Sequence, residues 1–300
     1  SPAAERLAVV APGPRQPARV LVIDVPEAAG TDVTISVRRR ATGETVPADD
    51  LARPESLAWP GHDGGTAHGL YYPPTNRRCT SDARPPLIVL VHGGPTSQAT
   101  ADWTPQAQFF ATRGYGVLAV NYRGSTGYGR DYMLKLRGNW GVYDVQDART
   151  GAAWLAEQGR VDATRLVIAG GSAGGFTVLQ SLVEHPGFYR AGLCFFGVAN
   201  QFLLAADTHK FEARYSDRLL GPLPEAAAVY RARSPLFHAD RIKDPVAIFQ
   251  GEVDKVVDAI TQGSSVAQPL AESRVFPSVA VNMIAIGEET GRLPDVLLRI

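Results

Sequence analysis

Apolar residues in this chain fall into short unbroken runs separated by longer stretches with helical spacing. Residues 20–24 and 33–37 alternate or cluster β-branched residues and read as strands. Residues 87–91, 116–120, 165–169, 191–196 and 246–250 are continuous apolar runs of buried-strand length. Between them, residues 104–113, 144–158, 173–185 and parts of 223–232 carry helical patterns. From residue 87 onward strands alternate with helices, which predicts an α/β fold: a mostly parallel sheet with helices on both faces. Near the end, Val279, Met283 and Ile286 recur at helical spacing with no evident partner. Residues 260–300 are therefore expected to be helical or poorly ordered and to stay out of the sheet.

Chemistry enters where three of the predicted strands end. Gly170-Gly171-Ser172-Ala173-Gly174 joins the 165–169 strand to the 173–185 helix, the context that gives a G-x-S-x-G pentapeptide its meaning. A sharp turn with small neighbours lifts the serine hydroxyl from the sheet edge, and the helix start behind it offers free N–H groups. The alternative is a glycine turn that merely ends a strand. His92-Gly93-Gly94-Pro95 follows the 87–91 strand, and its glycines let backbone N–H groups approach a ligand. Gly94 and Ala173 are the candidate oxyanion donors. His92, beside that loop and upstream of Ser172, reads as a loop-ordering hydrogen-bonding residue rather than a base. After the 246–250 strand comes Gly251-Glu252-Val253-Asp254. Asp254 is the candidate triad acid, Glu252 its rival, and an ordinary turn aspartate the plain alternative.

These segments, together with Asn121 to Gly129, Tyr71-Tyr72-Pro73-Pro74, Asn139-Trp140-Gly141, Phe196-Gly197-Val198 and Ser234-Pro235-Leu236, resemble the prolyl oligopeptidase family of serine peptidases. The nearest branch is similar to acylaminoacyl-peptidases and dipeptidyl-aminopeptidase-like enzymes. The resemblance runs over residues 54–257. It implies an α/β-hydrolase domain, Ser172 as nucleophile, Asp254 as the residue orienting a base, short peptides as substrates and no cofactor. Residues 1–53 resemble the last blade of a β-propeller with its linker, and a start at Ser1 without methionine suggests a fragment or a processed product.

The resemblance stops after Asp254. All six histidines (His62, His68, His92, His185, His209 and His238) precede that residue, so no histidine occupies the place a triad base would take. From residue 260 the chain, with Phe276-Pro277, Met283-Ile284 and Gly287-Glu288-Glu289-Thr290-Gly291-Arg292-Leu293, resembles an inner-membrane platform protein of type II secretion and type IV pilus assembly. The implied organisation is a blade remnant at 1–53, a C-terminally incomplete hydrolase domain at 54–259 and a helical fragment at 260–300. A gene fusion, a frame error and an assembly artefact each produce such a join at 257–260.

Composition removes other classes. Formal net charge is zero, and Arg38-Arg39-Arg40 is too short a basic run to mark a nucleic-acid surface. No apolar stretch reaches membrane-spanning length and no signal peptide is evident, so a cytoplasmic location is expected. Cys79 and Cys194 are too few for a disulfide framework or a metal site, and Cys194 reads as a small buried hydrophobe. Asp144 and Asp147 are one helical turn apart; a solvated helix face is expected there rather than a metal. Phe195, Phe196, Phe202 and Phe211 are candidates for an apolar specificity pocket or for plain core. The expected activity is that of a serine-type peptidase acting through an acyl-enzyme, impaired by the missing histidine. A carboxylesterase on the same fold and a non-catalytic binding or assembly module are the alternatives.

Overall fold

The computed structural model describes residues 6–24, 33–43, 46–79, 81–207, 214–251, 265–273 and 278–289. The chain divides into two compact units, Ser1–Ala247 and Ile248–Ile300.

A seven-stranded sheet organises the first unit, and its last strand crosses the boundary at Ala247. Its strands are β4 (Glu55–Pro60), β5 (Thr66–Tyr72), β6 (Leu87–Val91), β7 (Gly116–Asn121), β8 (Leu166–Gly171), β9 (Ala191–Phe195) and β10 (Val246–Phe249), in spatial order β10-β9-β8-β6-β7-β5-β4. β6 pairs in parallel with both β7 and β8, and β8 with β9, whereas β5 runs antiparallel to β7 and β4. Successive residues of a strand face opposite sides, and the two apolar clusters divide accordingly. Tyr71, Leu118 and Val120 join the cluster that holds Ala148, Leu155, Phe176 and Leu182, from helices α3 (Tyr143–Glu157) and α4 (Ala173–Glu184). Leu70, Tyr72, Val117 and Ala119 join Ala107 and Ala111 of α1 (Pro105–Ala111). Helices therefore cover both faces, as expected.

An antiparallel sheet of β1 (Arg6–Gly13), β2 (Gln16–Asp24) and β3 (Thr34–Arg40) precedes this one. Gln108 of α1 ties the two regions together, because its amide donates to Pro14 O at 3.2 Å and to Ala52 O at 2.8 Å. In the second unit two helices, Ala267–Ser273 and Ser278–Glu289, bury Leu270, Val281 and Ile284 against one another. Beyond Phe249 the described residues form helices only. The second helix turns Val281 and Ile284 inward, while Ile286 is 59% exposed; the side chain of Val279 lies outside the described residues.

Two further expectations are corrected. Residues 246–250 read as a buried strand, yet Val246, Ile248 and Phe249 are exposed because β10 is the outermost strand of the sheet. Asp144 and Asp147 do not sit on a solvated face; both are 0% exposed. Asp147 accepts from the Arg123 backbone N–H at 2.8 Å and from its guanidinium Nη2 at 2.7 Å. Asp144 accepts from Gly141 N–H and Thr177 Oγ1, each at 2.6 Å. The pattern missed this because the side-chain partners, Arg123 on the loop after β7 and Thr177 on α4, lie 24 and 33 residues away in sequence.

Burial pushes the Asp144 carboxyl up to about 6, against the pull of its Thr177 and Gly141 donors. The folded chain then binds more protons than the unfolded chain between pH 3.8 and about 6, so this group makes stability rise as pH falls through that window. Asp144→Asn keeps the shape and removes the titration. Relative to wild type, the variant should gain on the order of 2 kcal/mol between pH 4.5 and 7.5, read from urea midpoints. Parallel stability curves for the two chains would show that Asp144 ionises normally.

Candidate active site

The sheet order reverses around β6, whose neighbours β7 and β8 are reached by crossovers to either side. At such a point the loops leaving the carboxyl ends of adjacent strands part and open a crevice. The two sequence motifs lie there: His92-Gly93-Gly94 leaves β6, and Ser172 leaves β8.

Ser172 has φ 55° and ψ −121° and caps the start of α4. Only Phe196 shares a positive φ among the described non-glycine residues. Such a conformation costs of order 1–3 kcal/mol and persists only where the surroundings enforce it. Here the enforcement is close packing of glycines. A Cβ on Gly170 would lie 2.5 Å from Gly174 O, and one on Gly174 would collide with Val91 O. The elbow is thus pressed onto the end of β6, at the Val91–Gly170 register pair. Ser172 N–H donates to Phe195 O at 3.0 Å, which fixes the turn against β9. The serine itself is exposed, while Ala173 behind it is buried. Gly174→Ala should destabilise the fold by at least about 3 kcal/mol, because backbone rather than a movable side chain stands in the way. A urea midpoint within experimental scatter of wild type would contradict this packing argument.

The β6 loop approaches the elbow from the other side. A Cβ on Gly93 would stand 3.5 Å from Ser172 Cβ and 4.0 Å from Ala173 N, and Gly94 has φ +124°. The loop is held from behind by the 121–126 segment. Tyr122 donates to Pro95 O at 2.7 Å, and its ring stacks on His92 at 4.4 Å. His92 Nδ1 lies 2.8 Å from Gly93 O, so it carries the proton. Nε2 then accepts from Ser125 Oγ at 2.8 Å. Burial lowers the His92 pKa, which keeps the ring neutral and this tautomer in place.

The other described histidines are equally committed. His68 stacks on Tyr128 with 4.4 Å between centroids, His185 Nε2 lies 3.1 Å from the Gln146 amide, and His238 Nε2 lies 3.2 Å from Arg231 O. His62 Nδ1 lies 3.4 Å from Arg123 Nη2. None of these histidines hydrogen-bonds to Ser172 among the described residues. His209, Phe211, Glu252, Asp254 and the expected join at 257–260 lie outside the described residues.

Of the phenylalanines, Phe202 packs on the core beside Tyr230. Phe196 behaves differently: its φ is 40°, it is 54% exposed, and its ring lies over Gly171, where a Cβ would meet it at 3.0 Å. It thus presents an apolar face next to the serine. The run 191–196 reads Phe196 as the last residue of a buried strand, but β9 ends at Phe195, since an apolar run says nothing about where a strand breaks. Cys194 is buried as expected.

A strained serine between a parallel strand and a helix, faced by a glycine loop from the neighbouring strand, defines an α/β-hydrolase. A family model for the prolyl oligopeptidase family matches residues 101–281, and the chain belongs to that family. The match runs past the join expected near 257–260. Dipeptidyl aminopeptidase BIII of Pseudoxanthomonas mexicana is 35% identical over 58% of this chain and 26% of its own length. The pig (Sus scrofa) acylamino-acid-releasing enzyme is 34% identical over 57% of this chain and 24% of its own. The chain thus spans about a quarter of the length of these curated relatives. Among solved structures, a Mycobacterium tuberculosis puromycin-hydrolyzing peptidase superposes with TM-score 0.77 at 38% identity, covering 81% of this chain and 37% of that one. The acylaminoacyl peptidase of Pyrococcus horikoshii gives TM-score 0.69 at 25% identity over 83% and 39%. No described helix is long and apolar enough to cross a membrane.

Proposed function

We propose that this chain carries the catalytic elbow of a serine-type peptidase that releases aminoacyl or acylaminoacyl groups from short peptides. The observation that supports it most is the exposed Ser172 at φ 55° with the Gly93-Gly94 loop beside it. In this reading Ser172 Oγ attacks the scissile carbonyl, and the N–H groups of Gly94 and Ala173 bind the oxyanion of the tetrahedral intermediate. Asp254 orients the base. Similarity to dipeptidyl aminopeptidases and acylamino-acid-releasing enzymes supports peptides as substrates. A soluble, cytoplasmic enzyme is the setting consistent with them.

The 300 residues as they stand lack the base. No histidine follows Asp254, and the five described histidines are engaged elsewhere. The chain is a peptidase by lineage with severely reduced turnover. Acyl transfer to serine does not by itself separate amide from ester. Aminoacyl 4-nitroanilide and 4-nitrophenyl ester hydrolysis, each compared with Ser172→Ala, distinguishes the readings. Ser172-dependent ester turnover with no anilide turnover would make the chain a carboxylesterase. Retention of secretion-apparatus components on the purified chain, without Ser172-dependent turnover of either substrate, would make it a binding module.

A further inference from the structure

The opposite end of the same strands holds a second site-like feature. A cavity of about 910 Å³ lies where β6, β7 and β8 begin, lined by Tyr71, the prolines of the 73–86 connection, the 112–114 turn, and Arg84, Arg113, Arg160 and Arg165. Its size is that of a cavity for a small organic molecule. Arg165 immediately precedes β8 and Ser172 immediately follows it, so the two features are about 22–24 Å apart along the strand.

The charge of this cavity is one-sided. Among the described residues its lining includes four arginines and neither an aspartate nor a glutamate. Two of them are balanced from outside it: Arg160 by Glu55 at 2.7 Å and Arg165 by Asp162 at 2.7 Å. Arg113 forms no ion pair among the described residues; its Nη1 donates to Phe109 O at 2.9 Å and its guanidinium lies over the Phe109 ring. Arg84 forms no ion pair among the described residues, and its Nη2 lies beside Gly159, 3.5 Å from where a Cβ would stand.

Tyr71 is the second, independent observation. Its side chain is nine-tenths buried, since the residue is 2% exposed, yet it lines the cavity. Its hydroxyl is not among the sealed, unpartnered polar atoms of the interior, and the residue opens onto the cavity. The Arg160 guanidinium lies over the Tyr71 ring at 4.3 Å, and the phenol lines the same cavity as Arg84 and Arg113, so its hydroxyl can donate to an acceptor bound there. Phosphate and carboxylate oxygens supply it, and guanidinium forks match both geometries. The prolines give the cavity an apolar wall, which suits a ligand with a carbon body behind its anionic head.

We propose that this cavity is a binding site for a small organic anion, a phosphate or polycarboxylate on an apolar body, held by Arg84, Arg113 and the Tyr71 hydroxyl. Ser172 takes no part in it.

Phenyl phosphate, inorganic phosphate, benzene-1,3,5-tricarboxylate and phenol, at matched ionic strength, probe the site by thermal shift and calorimetry. Phenyl phosphate or the tricarboxylate should raise Tm by about 5 °C at saturation, inorganic phosphate should act more weakly, and phenol should do nothing. Which of the two organic anions binds tighter identifies the head group. Arg84→Gln with Arg113→Gln should weaken binding at least tenfold, and Tyr71→Phe should weaken it severalfold, with Ser172→Ala unchanged. Arg84→Gln alone, at an exposed position, guards against misfolding of the double variant and should itself weaken binding. Equal shifts from sulfate in wild type and variants, or no saturable binding of either organic anion, would overturn the proposal. The ligand readouts do not depend on turnover, so they stand whether or not the peptidase reading does.

Discussion

Replacing residues 258–300 with a prolyl oligopeptidase family tail that carries the histidine is expected to raise aminoacyl-anilide turnover by up to about 10⁶-fold. The reason is the state of Ser172. A serine hydroxyl is a weak nucleophile at its free pKa, and strain at φ 55° exposes it without removing its proton. Proton transfer needs a base within hydrogen-bond reach. Among the described residues His92 is the histidine of the glycine loop, but both its nitrogens are used, by Gly93 O and by Ser125 Oγ. The loss of a triad base corresponds to about 8 kcal/mol of transition-state stabilisation. Glycine-loop and helix N–H groups leave a small residual rate. Steady-state turnover of both chains, with Ser172→Ala in each, measures the effect. High activity in the unaltered chain that Ser172→Ala abolishes would mean that one of the six histidines present serves as base.

The largest stability effect is expected at Arg123. This side chain is 1% exposed and binds Asp147, which is 0% exposed, at 2.7 Å, while its other nitrogen meets the half-exposed Asp63 at 2.6 Å. Arg123→Met strips Asp147 of its guanidinium and leaves a buried carboxylate with one backbone donor, which should cost about 4 kcal/mol. Asp147→Asn should cost less, because Arg123 keeps Asp63. Combining Arg123→Met with Asp147→Leu should recover most of the loss, since a well-packed apolar pair often replaces a buried ion pair at little cost. Urea midpoints of the three variants decide it. A loss below about 1 kcal/mol in Arg123→Met would show that water reaches Asp147 and solvates it.

Those two residues also mark where the sequence is hard to read. Strands β6 to β9 are continuous apolar runs and were legible, as were α3 and α4. β4 and β5 were not: β4 contains Pro60, β5 contains His68 and Gly69, and neither forms an apolar run. They are recognisable only in three dimensions, where Trp59 packs over Gly69 and Gly151 and donates to Asp147 O at 3.2 Å. The elbow and its glycine loop were legible because strain and close approach demand small residues at fixed spacing. The buried carboxylates were not, since a one-turn spacing of two aspartates looks alike on a wet face and on a satisfied buried one. Phe196 was ambiguous for a related reason: its positive φ is imposed by the neighbouring elbow and has no signature in its own segment.

The two cysteines have a practical consequence. Cys79 is exposed among the residues that line the arginine cavity, and Cys194 is buried in β9. A thiol-reactive dye added to the folded chain will therefore attach at one position, with no cysteine to remove first. That position is at the far end of β8 from Ser172, so the label leaves the elbow untouched while its emission reports what enters the cavity beside it.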